Sequence, residues 1–281
     1  MGYKTILVHI RDLDQSKEIL NVAVMMAKRY DAHLIGLFIV PEIPNYPAIS
    51  MYLSAEALLP HKKHHLEKAS EIQALFSKVT KSEGISSEWR QIDPIIPDNI
   101  SQAIVDNSHT VDLVILGQSV EEKDEANIRE LPGDVLLESG RPILIVPHSG
   151  TYKNIGDHVL IGWNGTKEAA RATFDALPIL QSASQVHVHS AIPAKPNTND
   201  IEFPGAELAI TLARHDVVVS VETNVNADLS AGDELLSYVA QRGADLLVMG
   251  GYGRSRTREL IFGGATKEIL NHMTVPVLMS H

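Results

Sequence analysis

The sequence predicts an α/β protein built from two tandem copies of one parallel-sheet unit, and three observations carry that prediction. The chain repeats its landmarks at half its length, its strand-like segments are short and continuously apolar, and helix-period segments separate them. At 281 residues it is long for one domain and suits two of about 140 residues. Hydrophobic residues make up 44% of the chain and aromatic ones only 5%. The cores are therefore expected to be Val, Ile, Leu and Ala, as strands buried under helices require.

The first half opens on Ile6-Leu7-Val8-His9-Ile10 and the second on Val159-Leu160-Ile161-Gly162-Trp163. Each is followed by a polar turn and a helix. Ile19, Leu20, Val22, Ala23, Met26 and Ala27 line one face of the first helix; Ala169, Ala170, Ala172, Thr173, Ala176 and Leu177 line the second. Second strands are expected over 32–39 and 184–191, and third strands over 86–92 and 216–222. Val111–Gly117 then matches Ala244–Gly250, both continuously apolar after the Asp at their second position and ending in Gly. Arg141–Val146 matches Thr274–Met279, each a final strand opened near a Pro, where a missing N–H costs least. Alternating strands and helices imply right-handed crossovers and helices on both sheet faces.

The boundary is expected in Pro147–Asp157, giving domains 1–149 and 150–281. The halves differ between their second and third strands. The first carries a proline-spaced segment, Pro41–Pro60, and then a long amphipathic helix with Leu66, Ala69, Ile72, Phe76 and Val79. The second has the polar stretch Ile192–Phe203 and a shorter helix after Pro204-Gly205.

The net charge of −11, from 24 basic and 35 acidic residues, removes the basic footprint that nucleic-acid binding needs. The absence of cysteine excludes disulfides, thiolate metal clusters and cysteine nucleophiles. Met1–Val8 shows no charged leader with an apolar region and cleavage site, and no apolar run approaches the roughly 20 residues of a membrane helix. The expectation is a cytoplasmic protein with no membrane partner.

The candidate site lies where the fourth strand of the second half ends. Gly250-Gly251-Tyr252-Gly253 is followed after nine residues by Gly263-Gly264, which precede a helix at Ala265-Thr266-Lys267-Glu268. In open parallel sheets ligands sit beyond the carboxyl ends of the strands, where strand order reverses. Glycines there let a ligand approach backbone N–H groups, and a helix start offers free donors and a positive dipole end to a phosphate. Arg254, Arg256, Arg258 and Lys267 surround these glycines in a chain that is acidic overall. The plainer account is a set of turns with a solvated basic face. Two glycine pairs at both ends of one loop, after a buried strand and before a helix, favour the binding site over it. The first half is the internal control. After Gly117 it reads Gln118-Ser119-Val120-Glu121-Glu122, and a single Gly133-Asp134 is expected just before its next helix. Carboxylates there would repel a polyphosphate.

These residues resemble the universal stress protein family in its tandem two-domain, UspA-like form. The resemblance rests on Gly250, Gly253 and Gly263 in the family's spacing of Gly, two residues, Gly, nine residues, Gly. The turn Trp163-Asn164-Gly165-Thr166 and the Val275-Pro276-Val277 of the last strand add to it. It implies two Rossmann-like domains, each a five-stranded parallel sheet of order 3-2-1-4-5, pairing as a pseudo-dimer through the last strand, with a homodimer also open. It further implies ATP or another adenine nucleotide, ADP or AMP, bound with or without Mg in the second domain, and a stress-response or regulatory role. Trp163 and Asn164 would flank adenine and ribose, with Ser190 or Ala191 lining the base. Met249 and Gly250 would meet the sugar, while Gly253, Gly263, Gly264 and Ala265 would present N–H groups to phosphate. Gly162, Arg254 and Thr266 complete the expected contacts. Two positions depart from the family: Asn164 replaces an aspartate, and Gly264 replaces a Ser or Thr whose role Thr266 or Ser255 would have to take.

No P-loop, nucleophile elbow or positioned general base is recognisable, so no catalytic residue is expected. Slow ATP hydrolysis and a nucleotide-free interaction module are the alternative functions. His61, His64 and His65 have a spacing that could hold zinc with Glu67 or Glu71, against the simpler reading of a solvated face beside Lys62 and Lys63. No metal site is expected. His187 and His189 share one strand face and read as ordinary half-exposed residues.

Overall fold

A computed structural model describes residues 2–40, 55–93, 100–119, 128, 130–190, 205–222, 229–253 and 264–281, with the side chains of residues 14, 55–62 and 64 also left out. Two compact units are present. The first comprises Tyr3–Gly117 and Glu122–Arg141, and the second Met1–Gly2, Gln118–Glu121 and Pro142–His281.

The first unit contains β1 (Thr5–His9), α1 (Leu13–Tyr30), β2 (His33–Ile39), α2 (Ala55–Ser82), β3 (Ser87–Ile92), α3 (Ile100–Ser108), β4 (Leu113–Gly117) and α4 (Leu131–Glu138). Its strands pair in parallel in the order β3-β2-β1-β4. The start of β1 is fixed by the Asp112 carboxylate, which accepts from the N–H groups of Lys4 and Thr5 at 2.7 and 2.9 Å. Asp12 caps α1 by accepting from the Gln15 N–H, and Asp31 ends it in the left-handed region. Helix α2 begins at Ala55, ahead of Pro60, whose missing N–H leaves one backbone hydrogen bond of the helix unmade. Gly133, expected before a helix, lies inside α4. That helix starts at Leu131 because Pro132 sits where its missing N–H is not needed.

The second unit contains β5 (Ile143–Val146), β6 (His158–Trp163), α5 (Lys167–Asp175), α6 (Leu177–Leu180), β7 (Gln185–Ser190), α7 (Ala206–Ala213), β8 (Val219–Glu222), α8 (Ala231–Arg242), β9 (Leu246–Gly250), α9 (Ala265–His272) and β10 (Val277–Ser280). The second repeat has the order β8-β7-β6-β9-β10, all parallel, which is 3-2-1-4-5. Strand β5, the fifth of the first repeat, joins this unit and runs antiparallel to β10. Their register is centred on the corresponding residues Leu144 and Leu278. As Asp112 does in the first unit, Asp245 holds the start of β6, accepting from Gly156 and His158 N–H at 2.8 and 3.2 Å.

Strand order decides which helices cover which face. The chain moves one way from β6 to β8 and the other way from β9 to β10, so right-handed crossovers place α5 and α7 on one face and α8 and α9 on the other. Close approaches agree. A Cβ on Gly250 would meet Glu168 at the start of α5, and one on Gly162 would meet Leu235 of α8 at 3.1 Å.

Candidate functional site

The reversal of strand order falls between β6 and β9, so the carboxyl ends of these strands frame the crevice in which open parallel sheets bind ligands. Strand β6 delivers the half-buried Trp163 to this rim, and Asn164 follows it exposed. The Asn164 Oδ1 accepts from the Thr166 N–H at 3.2 Å and from the Thr166 hydroxyl at 2.8 Å, closing the turn upon itself. Thr166 in turn caps α5, accepting from the Ala169 N–H at 3.4 Å. The Asn164 side-chain carbonyl is thus already engaged locally.

Strand β9 leaves the sheet against that same helix start. Gly250 touches α5 so closely that an added Cβ would lie 2.5 Å from the Glu168 carbonyl carbon and would also strike the Ala169 nitrogen. Only glycine fits there. The Gly251 N–H donates to the Ser280 carbonyl at 3.0 Å, extending the ladder to β10, and His281 Nδ1 lies 3.0 Å from the Gly251 carbonyl. Tyr252 then takes a left-handed conformation, φ 53°, and its N–H donates to the buried Thr266 hydroxyl oxygen at 3.1 Å. Gly253 is exposed, and a Cβ there would lie 3.2 Å from Glu168 Oε2.

Two helix N-termini therefore flank Tyr252-Gly253. That of α9 begins at Gly264, whose φ of −70° and ψ of 150° make it an extended N-cap with no side-chain cap among the described residues. Ala265 is half-buried and Thr266 buried in its first turn. The α5 terminus is different, because Glu168 closes it. This carboxylate is buried, and burial alone would raise its pKa. Its own backbone N–H, the Thr166 hydroxyl, whose one proton is shared with Asn164 Oδ1, and the Lys167 ammonium, 3.4 Å from Oε1, overcome that effect and hold it below the ordinary carboxylate value. A second carboxylate, Glu268 of α9, accepts from the Ser230 hydroxyl that caps α8.

Of the residues expected at the site, Trp163, Asn164, Gly250, Gly253, Gly264, Ala265 and Thr266 gather around these strand ends. Gly162 and Met249 pair in register on the α8 side of the sheet, and Met249 is buried. Ala191, Arg254 and Gly263 lie outside the described residues, as do Arg256 and Arg258. Two features were not foreseen. Glu168 sits beside the glycine loop, and it was legible only as the second residue of a helix. His189, expected to be half-exposed, is completely buried because Tyr238 and Glu234, four residues apart on α8, cover it. Its ring stacks on Tyr238 with centroids 4.0 Å apart, and its Nε2 lies 3.2 Å from Glu234 Oε1. Burial pushes the His189 pKa down against the pull of Glu234 and Glu222. The Ser190 hydroxyl, one residue on and in register with Trp163, is buried with no hydrogen-bond partner among the described residues. Among the described residues no three His, Asp or Glu side chains group as metal ligands; those of His61 and His64 lie outside them. No helix among them is long and apolar enough to cross a membrane.

The sequence profile of the universal stress protein family matches residues 2–146 and again residues 157–281. The chain belongs to the universal stress protein family. The two matches coincide with the two repeats. Among solved structures, a universal stress protein from Archaeoglobus fulgidus DSM 4304 superposes with a TM-score of 0.75 at 16% identity, covering 98% of this chain and 95% of its own. A putative universal stress protein from Pseudomonas aeruginosa UCBPP-PA14 gives 0.65 at 16% identity, with 99% and 93% covered. A shorter universal stress protein from Archaeoglobus fulgidus, solved in complex with dAMP, covers 52% of this chain and 98% of its own at 16% identity and a TM-score of 0.34. No curated protein sequence matches the chain. The two full-length superpositions place both repeats in the universal stress protein fold.

Proposed function

We propose that the second repeat binds an adenine nucleotide (ATP, ADP or AMP, with or without Mg) and that binding serves a stress-response or regulatory role in the cytoplasm. The observation that carries this reading is the placement of Gly253 between two helix N-termini, with that of α9 open at Gly264. Gly253, Gly263, Gly264 and Ala265 present N–H groups to phosphate, and Arg254 adds charge. Trp163, Asn164 and Ala191 receive the nucleoside, with Gly162, Met249 and Gly250 forming the floor. Thr266 acts indirectly, since its hydroxyl oxygen holds the Tyr252 N–H. The symmetric register of β5 on β10 supports the further reading that the first repeat supplies the edge strand a second subunit would otherwise supply.

Isothermal calorimetry with ATP and AMP on the full chain and on the double variant Gly253→Asp, Gly263→Asp tests the assignment. Carboxylates at both positions should abolish binding by charge and bulk. Undiminished affinity in the double variant would remove the site from this loop.

A further inference from the structure

The two helix ends beside Gly253 are not equivalent, and their difference bears on how many phosphates the site accepts. At α9 the first-turn N–H groups meet a glycine N-cap and no capping side chain among the described residues. At α5 the Thr166 hydroxyl caps the turn and the Glu168 carboxylate fills the positive end. Glu168 is 3% exposed, and its Oε2 faces Gly253 at the 3.2 Å separation an added Cβ would have. Gly253 is open to solvent on the same stretch of backbone. A ligand reaching Gly253 thus meets the Glu168 charge on one side and, on the other, the uncapped start of α9, whose own first-turn carboxylate, Glu268, is engaged by Ser230 at the start of α8.

Resting on the adenine-nucleotide reading, we infer that Glu168 restricts this site to ligands with a single phosphate group, a nucleoside monophosphate or phosphodiester seated at Gly264, and disfavours polyphosphates. A lone phosphate can occupy the α9 end and stay clear of α5. A triphosphate adds charge that must spread from that seat along Gly253 towards Glu168. Two like charges about 5 Å apart at a protein surface repel strongly enough to shift affinity by at least about tenfold, even with a partly compensating cation nearby. The hydrogen bonds that hold Glu168 ionised keep this charge in place at neutral pH. Lys167, which pairs with Oε1, is itself largely exposed and screens only in part. Any charge contributed by Arg254, Arg256 and Arg258 is common to wild type and variant, so a comparison of the two isolates the carboxylate.

Calorimetric titration of the full chain and of Glu168→Gln with AMP and with ATP tests the inference. The wild type should bind AMP at least as tightly as ATP. Glu168→Gln should tighten ATP by about tenfold and AMP by less than about threefold. Circular dichroism confirms the fold, and Glu168→Thr, a smaller neutral side chain, replaces the glutamine variant should that one not fold. Tighter ATP than AMP binding by the wild type, or an unchanged ATP-to-AMP ratio in the variant, overturns the single-phosphate inference while leaving the site itself in place. Failure of both proteins to bind either nucleotide overturns the adenine-nucleotide reading and this inference with it.

Discussion

Replacing Gly250 and Gly117 by alanine compares the same substitution at corresponding strand ends, where the structure assigns it unequal costs. At Gly250 the new Cβ would lie 2.5 Å from the Glu168 carbonyl carbon and 2.8 Å from Glu168 Cβ. Restoring an ordinary contact of 3.4 Å needs a displacement of about 0.9 Å, and the obstacle is the backbone of α5. A helix start tied down by the Thr166 cap and packed on β9 moves only as a body, so the cost belongs at the upper end of overpacking, about 3 kcal/mol. At Gly117 the nearest atoms are Ile19 Cδ1 at 2.8 Å and Gln15 Oε1 at 2.9 Å, both ends of side chains that can rotate. Rotamer changes cost about 1 kcal/mol. Thermal unfolding followed by hydrogen exchange resolves the two units. Gly250→Ala should lower the midpoint of the second unit by roughly 6–12 °C, and Gly117→Ala that of the first by roughly 2–4 °C. Nucleotide affinity should fall with the former alone. Equal shifts, or a larger one from Gly117→Ala, would refute the claim that α5 sits immovably on the end of β9.

Two further perturbations probe other parts of the chain. Burial, helped by Arg11 and opposed by Asp12, lowers the His9 pKa from 6.5 to about 4. The unfolded chain therefore binds this proton first, so stability falls as pH drops from 6.5 towards 4, by about 3 kcal/mol in total. His9→Gln should flatten urea-unfolding stability of the first unit across that window, and a persistent slope would exclude His9 as its source. In the second unit, Gln118 is buried, donates to the Leu270 carbonyl at 2.7 Å and to that of Asn271 at 3.3 Å, and accepts from the His148 N–H at 3.0 Å. Gln118→Ala strands these groups at about 1–3 kcal/mol, and amide exchange in α9 should quicken by about tenfold or more. Unaltered exchange there would show that α9 is held by other contacts.

The central strands were legible because burial on both faces writes itself as an unbroken apolar run closed by glycine, as in Leu113–Gly117 and Leu246–Gly250. Edges were less legible. The third strand of the second repeat starts at Val219 rather than near residue 216, since Asp216 turns with φ 61° and Val218 is exposed. His189 misled because a strand's own alternation cannot say which helix will lie over it. Glu168 was overlooked for a related reason. An acidic residue in the first turn of a helix is expected for the helix's own sake, and only the fold reveals that Gly253 passes in front of it. The glycines themselves were readable because each marks a place where backbone meets backbone.

The pairing of β5 with β10 has a consequence for how such a protein can change. In a strand pair made by two identical subunits, every substitution is written twice and must suit both sides at once. Here Leu144 and Leu278 meet at the centre of the pair but are specified independently. One position can vary while the other stays. The same freedom reaches the residue after each strand-ending glycine, where one copy keeps Gly251 and the other has Gln118 reaching the last carbonyls of α9. Joining the copies in one chain released each from having to mirror the other.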